Sequence, residues 1–455
     1  MTVIFVSFQP ILDFPPKPIP MKKLHLSPPT LAHLNGQHEA RQLLAALLRI
    51  LGLHRLELAL EITAESFEEA ALHPYFRLPP SPLNFLLSIA KRKTLEAVRM
   101  QNMTGRLSRE VNFAIETGKP LEEVFHGIFE EKTLEDNRLA LLFACCHPSL
   151  PLSLRKALVL KSNFTFSEKD IQQFRHSDDL RLLKELETSS ELILQNGVQS
   201  GVPTPGQLPA RLGSVQETLL SLFMDGYDHS ELTIFARRSF CDTAFQVCSL
   251  LLAHPATTLP TTYATMTSLC LLAARFEPRR GRPPSFLFLD EKNRAKWSPQ
   301  LIDQGVAYYE KAGDPDQPDD QHVLARVLME HTLAPHPRFT NWERIAEHLQ
   351  HLLEVHPTYE YHLCYAYTLA KNGDASLAIQ YLYTTPSFGD HLPEDWLTNA
   401  LMGDFYRQAK NLRECAKYYQ VAQQKAPATA LKKLIHRKML SLTSNKKGSK
   451  KKVKW

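Results

Sequence analysis

Three prolines near the end of the chain, Pro357, Pro393 and Pro427, stand 36 and 34 residues apart. Proline closes one helix or opens the next, and a period of that length holds one pair of helices joined by a turn. Between the prolines, apolar side chains keep a three- and four-residue spacing, the mark of helices with one buried stripe. Counting back from Pro427, Gly403 and Cys415 are small where two helices must approach closely. Tyr406 and Tyr419 fall where the groove between helix pairs needs filling, and Ala422 is a further small residue in the pattern. Residues 341–355 and 361–384 fit the pattern more loosely. Helical spacing also runs through most of the preceding chain, so the fold class expected is all-α.

Composition narrows the function classes. No apolar run approaches the ~18 residues of a membrane span, so no membrane association is expected. Only 17 glycines occur in 455 residues, which argues against a glycine-rich nucleotide fold. The net charge of +5 is local: Lys446, Lys447, Lys450, Lys451, Lys452 and Lys454 more than account for it. The seven cysteines are odd in number and form no CxxC, the pattern of reduced, buried thiols in a cytoplasmic protein. Cys145-Cys146-His147 has no second ligand cluster at finger-like spacing, so a metal is not expected. Glu347, His348, His351 and Glu354 share a helix face, but Ile345, Ala346, Leu349, Leu352 and Leu353 form a buried stripe opposite, and a solvated face explains them. Arg280-Gly-Arg-Pro283 matches the core of an A·T-hook, a four-residue match in a loop. There is no HExxH, P-loop or G-x-S-x-G, so neither an enzyme nor a cofactor is expected.

The front of the chain sorts its charges by helix. Leu43, Leu44, Leu47, Leu48 and Leu51 repeat at helical spacing, and Gly52 punctuates the run. A second run over 56–71 lines Glu61, Glu65, Glu68 and Glu69 on one face, with Ile62 and Phe67 available for packing. After a Pro-rich loop, Ser81-Pro82 opens a third helix, because proline at the first helical position loses no needed donor and serine before it can cap. Phe85, Leu86, Ile89, Leu95 and Val98 make its apolar stripe, while Lys91, Arg92, Lys93 and Arg99 crowd the other face with only Glu96 against them. A cationic face over a buried seam suits phosphate; on most amphipathic helices the same pattern is a solvated surface.

Glu61-x-x-x-Glu65-x-Phe67, followed by Pro82-x-x-Phe85-Leu86-Leu87-x-Ile89-Ala90-Lys91-Arg92-Lys93 with Arg99, resembles region 2 of the extracytoplasmic-function branch of the sigma-70 superfamily of bacterial transcription initiation factors. The resemblance implies that Glu61, Glu65, Phe67, Glu68 and Glu69 dock on the β′ clamp of core RNA polymerase. It implies that Asn84, Ser88, Lys91, Arg92, Lys93 and Arg99 hold the opened −10 element of promoter DNA. Basic side chains would follow the backbone while neighbours pocket a flipped base. Ala64 stands where the family often carries Gln. The stretch from Asp136 to Pro148, with its Cys-Cys-His-Pro element, resembles the start of region 4 in a subgroup of these factors.

A helix-turn-helix would then span 166–193, with Arg181 and Lys184 on the recognition helix. Between Glu168 and Glu191 seven acids face four bases, a net charge of −3 that repels phosphate. Either those two bases alone meet the −35 element, or the module is degenerate. Leu219–Tyr227 and Phe288–Trp297 resemble two elements that follow region 4 in the same subgroup. The proline period resembles tetratricopeptide repeats, whose concave surface takes a peptide or another protein domain.

The implied organisation is an N-terminal disordered extension over 1–30, whose first twenty residues precede a natural start at Met21. A region 2-like domain follows over 31–106, then a linker with a short helix over 107–134. A region 4-like domain covers 135–196 and a second linker 197–213. A helical, tetratricopeptide-like domain over 214–440 ends in a basic disordered tail, 441–455. The function implied is a cytoplasmic sigma factor modulated by its repeat domain. The alternative, motivated by the acidic region 4-like stretch and Ala64, is a repeat scaffold whose front half no longer initiates transcription. Lysines and arginines tied up in ion pairs, or tucked beneath the helices with no route to open, would leave that alternative alone standing.

Overall fold

The computed structural model describes residues 36–72, 82–100, 107–130, 133–162, 189–199, 201–228, 234–275, 294, 297–355, 357–385, 392, 395–426 and 432–440. Every regular element among them is helical, so the fold is all-α. The chain divides into two compact units, Met1–Arg138 and Leu139–Trp455.

In the first unit, α1 (Gly36–Leu51) buries Leu43, Leu44, Leu47, Leu48 and Leu51 completely. It stops at Gly52, whose φ of +86° disfavours any residue with a Cβ, and an added Cβ would lie 2.8 Å from the His54 ring. A 3-10 turn (Leu53–Arg55) leads into α2 (Leu56–Leu72), and α3 (Pro82–Met100) packs against both helices. The seam joins Ala59, Ile62, Thr63, Ser66, Phe67 and Ala70 of α2 to Leu86, Ile89, Ala90, Thr94 and Val98 of α3, all buried. Thr63, Ser66 and Thr94 donate to carbonyls four residues back, so their hydroxyls enter the core without an orphaned donor.

Residues 107–134, expected as a linker with a short helix, instead contribute two helices, α4 (Arg109–Glu116) and α5 (Leu121–Ile128). The reason is six apolar side chains in a polar stretch: Leu107, Val111, Phe125, Ile128, Phe129 and Leu134 are buried, and α5 packs on α1 and α3. α6 (Leu134–Cys145) begins in this unit. There Asn137 accepts from Arg49 Nη1 at 2.6 Å and donates to the Ile128 carbonyl at 2.9 Å.

In the second unit, Leu141, Leu142, Ala144, Cys145 and Cys146 are buried, and α7 (Leu152–Ser162) follows. After α8 (Ser189–Gln195) come α9 (Leu208–Asp228), α10 (Ile234–Ala253), α11 (Pro260–Ala273), α12 (Pro299–Ala312) and α13 (Asp320–Leu333). The expected linker 197–213 therefore ends inside α9. Its helical part is packed: Leu212 is buried and Arg211 Nη2 donates to the Phe143 carbonyl at 2.5 Å, while just beyond it Ser214 Oγ donates to that of Cys146 at 2.7 Å. The buried Arg155 of α7 donates to Ser214 Oγ at 2.7 Å and to Glu217 at 2.9 Å, which fastens α7 to α9.

The chain ends in α14 (Trp342–Val355), α15 (Tyr359–Lys371), α16 (Ala375–Thr384), α17 (Trp396–Gln408), α18 (Leu412–Lys425) and a helix over 432–440. From α9 to α18 each helix packs on the next, and α15 also touches α17, as in stacked pairs. Gly403 of α17 lies against the Tyr419 ring of α18, where a Cβ would come within 2.5 Å of Cδ1. Cys415, Tyr419 and Ala422 are fully buried beside it, the places their sizes suggested. Of the three spaced prolines, Pro357 stands in the break between α14 and α15; Pro393 and Pro427 lie outside the described residues. No helix among the described residues is long and apolar enough to cross a membrane.

Candidate functional site

The charged faces of α2 and α3 are the candidate surface, and packing decides what each side chain is free to do. Along α2 the buried positions recur at three- and four-residue steps, and Phe67 is one of them at 3% exposure. Its ring lies in the core of this unit, so the expectation that Phe67 contacts a partner is corrected. Glu61 and Glu68 project on the exposed side and make no ion pair among the described residues.

Glu65 and Glu69 face α3 instead. Lys93 Nζ lies 2.9 Å from Glu65 and 3.5 Å from Glu69. Arg92 bonds to Glu69 through Nη2 and to Glu96 of its own helix at 3.1 Å. The result is one continuous chain of five charges, Glu65–Lys93–Glu69–Arg92–Glu96. The hydrogen bond from Arg92 holds the Glu69 carboxyl below its usual range, and Glu65 and Glu69 raise the Lys93 ammonium and the Arg92 guanidinium. Arg99, farther along α3, pairs with Glu122 of α5, a partner hidden in the stretch that read as a linker.

Lys91 is half-buried and makes no ion pair among the described residues. Ser88 is exposed, and its hydroxyl donates to the Phe85 carbonyl at 2.7 Å, leaving the oxygen lone pairs to accept. Asn84 is exposed in the first turn. The structure thus brings Glu65, Glu69, Arg92 and Lys93 together, leaves Glu61, Glu68 and Lys91 without an ion pair among the described residues, and removes Phe67 to the core. Arg181 and Lys184, with most of the expected helix-turn-helix, lie outside the described residues, as do the A·T-hook match and the lysine-rich tail.

The other candidate groups are structural. All seven cysteines are reduced and buried, and burial pushes the Cys146 thiol up to about 12. No group of three or more His, Cys, Asp or Glu side chains among the described residues is placed to hold a metal. On α14, Ile345, Leu349 and Leu352 are buried opposite Glu347 and Glu354, which are exposed. Trp297 is buried, with the Arg275 and Arg294 guanidiniums 4.9 and 5.1 Å from its ring centre.

A model of a family of unknown function, DUF6596, matches residues 211–313, which reach from α9 just past the end of α12. An uncharacterized protein of Rhizobium meliloti (strain 1021) is 23% identical over 315 residues, which cover 66% of this chain and 71% of that protein. No solved structure matches the chain.

Proposed function

We propose that the α2–α3 surface binds core RNA polymerase and opened promoter DNA, and that the chain acts as a sigma-type initiation factor of the extracytoplasmic-function kind rather than as an enzyme. The observation that supports this reading is the placement of both charged faces on one exposed surface, backed by a single buried seam. Glu61 and Glu68 offer unpaired carboxylates to a basic partner, and Lys91, Arg92 and Lys93 lie one helix away. The Arg92–Glu69 pair is half-exposed, with side chains 51% and 42% accessible, while in the Lys93 pairs only the carboxylates are. Pairs of that kind contribute about 0–1 kcal/mol each, so a run of phosphates can exchange with them. In this reading the stacked helices from α13 onward modulate initiation by taking a protein or peptide partner.

A second reading is favoured by one specific observation. Arg92, Lys93 and Arg99 all have carboxylate partners, which suits a repeat scaffold with an idle front half. Transcription in vitro with core enzyme separates the two. Under the first reading, wild-type chain supports initiation on genomic promoter fragments, and Lys91→Glu/Arg92→Glu/Lys93→Glu loses promoter opening, read by permanganate reactivity, while keeping its helical circular dichroism. Undiminished opening by that variant, or no initiation by the wild type, leaves the scaffold reading standing.

A further inference from the structure

We infer that Glu65 and Glu69 form an internal shield over Lys93 and Arg92, so that the acidic face has two halves with different jobs. Glu61 and Glu68 meet the partner first; Glu65 and Glu69 keep the cations covered until that partner draws them away. The inference rests on the sigma-type reading for the identity of the partner, while the shield itself is a property of the free chain.

The charge pattern sets its sign. In the linked run Glu65–Lys93–Glu69–Arg92–Glu96 three acids enclose two bases, a net charge of −1. Lys91 brings the patch to neutral, so it offers phosphate no net attraction although three cations stand in three consecutive positions. The pairs cross from one helix to the other, Glu65 to Lys93 and Glu69 to Arg92, and Glu69 touches both cations. Lys93 is held closely, its side chain only 20% exposed. A basic surface that competes for Glu65 and Glu69 turns the same patch to +2. Binding of that surface and binding of a nucleic-acid strand would then favour each other by one reciprocal factor.

The test uses the full-length chain and a fluorescent single-stranded DNA oligonucleotide, read by anisotropy at low salt. Glu65→Gln/Glu69→Gln should tighten binding about threefold to tenfold, the range set by releasing two cations from three weak ion pairs. The salt dependence should steepen by up to about 1.4 in log–log slope, since two newly available cations displace counterions from a single strand. Glu61→Gln/Glu68→Gln is the control: it removes the same charge from the same helix but breaks no ion pair, so its gain should be less than half as large in free-energy terms. Adding Lys93→Gln and Arg92→Gln to the first variant should cancel the gain.

A first variant that binds no more tightly than wild type, or a control that matches it, overturns the shield, as does absence of any DNA binding by all of these chains. With core polymerase added, wild-type affinity for the oligonucleotide should rise, and the rise should shrink in Glu65→Gln/Glu69→Gln. Failure of wild type to bind core polymerase would sink the sigma-type reading while leaving the free-chain result to decide the shield.

Discussion

Gly403→Ala tests the stacked-helix packing at its tightest point. An alanine Cβ there would lie 2.5 Å from Tyr419 Cδ1 and 2.6 Å from Cε1, against an ordinary contact of 3.4–4 Å. The ring has little room to retreat. Tyr419 is fully buried, its hydroxyl donates to Asp404 at 2.5 Å, and Lys438 Nζ holds the same carboxylate at 2.6 Å. Overpacking of this kind costs about 1–3 kcal/mol, and a sealed ring belongs in the upper half of that range. Alanine recovers about 1 kcal/mol of helix propensity over glycine, so the net loss is about 1–2 kcal/mol. For a unit of this size the corresponding fall in melting temperature is about 2–6 °C, read by differential scanning fluorimetry and urea unfolding. Gly213→Ala is the matched control: that glycine is also inside a helix, α9, but a Cβ there meets nothing within 4 Å, so this variant should gain stability by up to about 1 kcal/mol. A Gly403→Ala chain as stable as wild type, or stabilised like Gly213→Ala, would refute the close approach of α17 and α18.

Two further outcomes follow from burial. Ellman's reagent should find almost none of the seven thiols in the native chain at neutral pH and all seven after unfolding, since every cysteine is buried and the Cys415 thiol is raised to about 11; stoichiometric native labelling would contradict the packing. Stability should also fall on mild acidification. Burial holds His147, His348 and His362 below the usual histidine value of 6.5, with Arg326 and Arg344 adding to the effect on His348. The unfolded chain therefore takes up protons first, so stability is greatest above pH 6.5 and is lost as pH falls through the folded-state values. A melting temperature that is flat or rises between pH 7.5 and 5.5 would contradict it.

What could be read from the residues in advance was what depends on spacing along one helix. Leu86, Ile89 and Val98 of α3 are buried as their spacing suggested, while Phe85 and Leu95 are half-buried; the stop at Gly52 and the close approach at Gly403 follow from local punctuation and size. Phe67 shows where that reasoning was misapplied: it stands four residues after Thr63 and three before Ala70, on the buried stripe, although the motif suggested a surface role. The ion pairs were harder. Which faces of α2 and α3 meet depends on how two helices rotate against each other across the Pro-rich connection, and Glu65 and Lys93 are 28 residues apart. Glu122 was not legible as a partner because 107–134 is polar overall, and its six buried apolar side chains fall between charged neighbours instead of forming one long stripe.

Binding of core RNA polymerase to the purified chain tests the central claim most directly. Measured by microscale thermophoresis, wild type should bind saturably, and Glu61→Lys/Glu68→Lys, which reverses the two unpaired carboxylates of α2, should weaken binding tenfold or more, by roughly 1.4 kcal/mol at least, with unchanged melting temperature. No saturable binding by wild type, or equal affinity of wild type and the reversed variant, would contradict it.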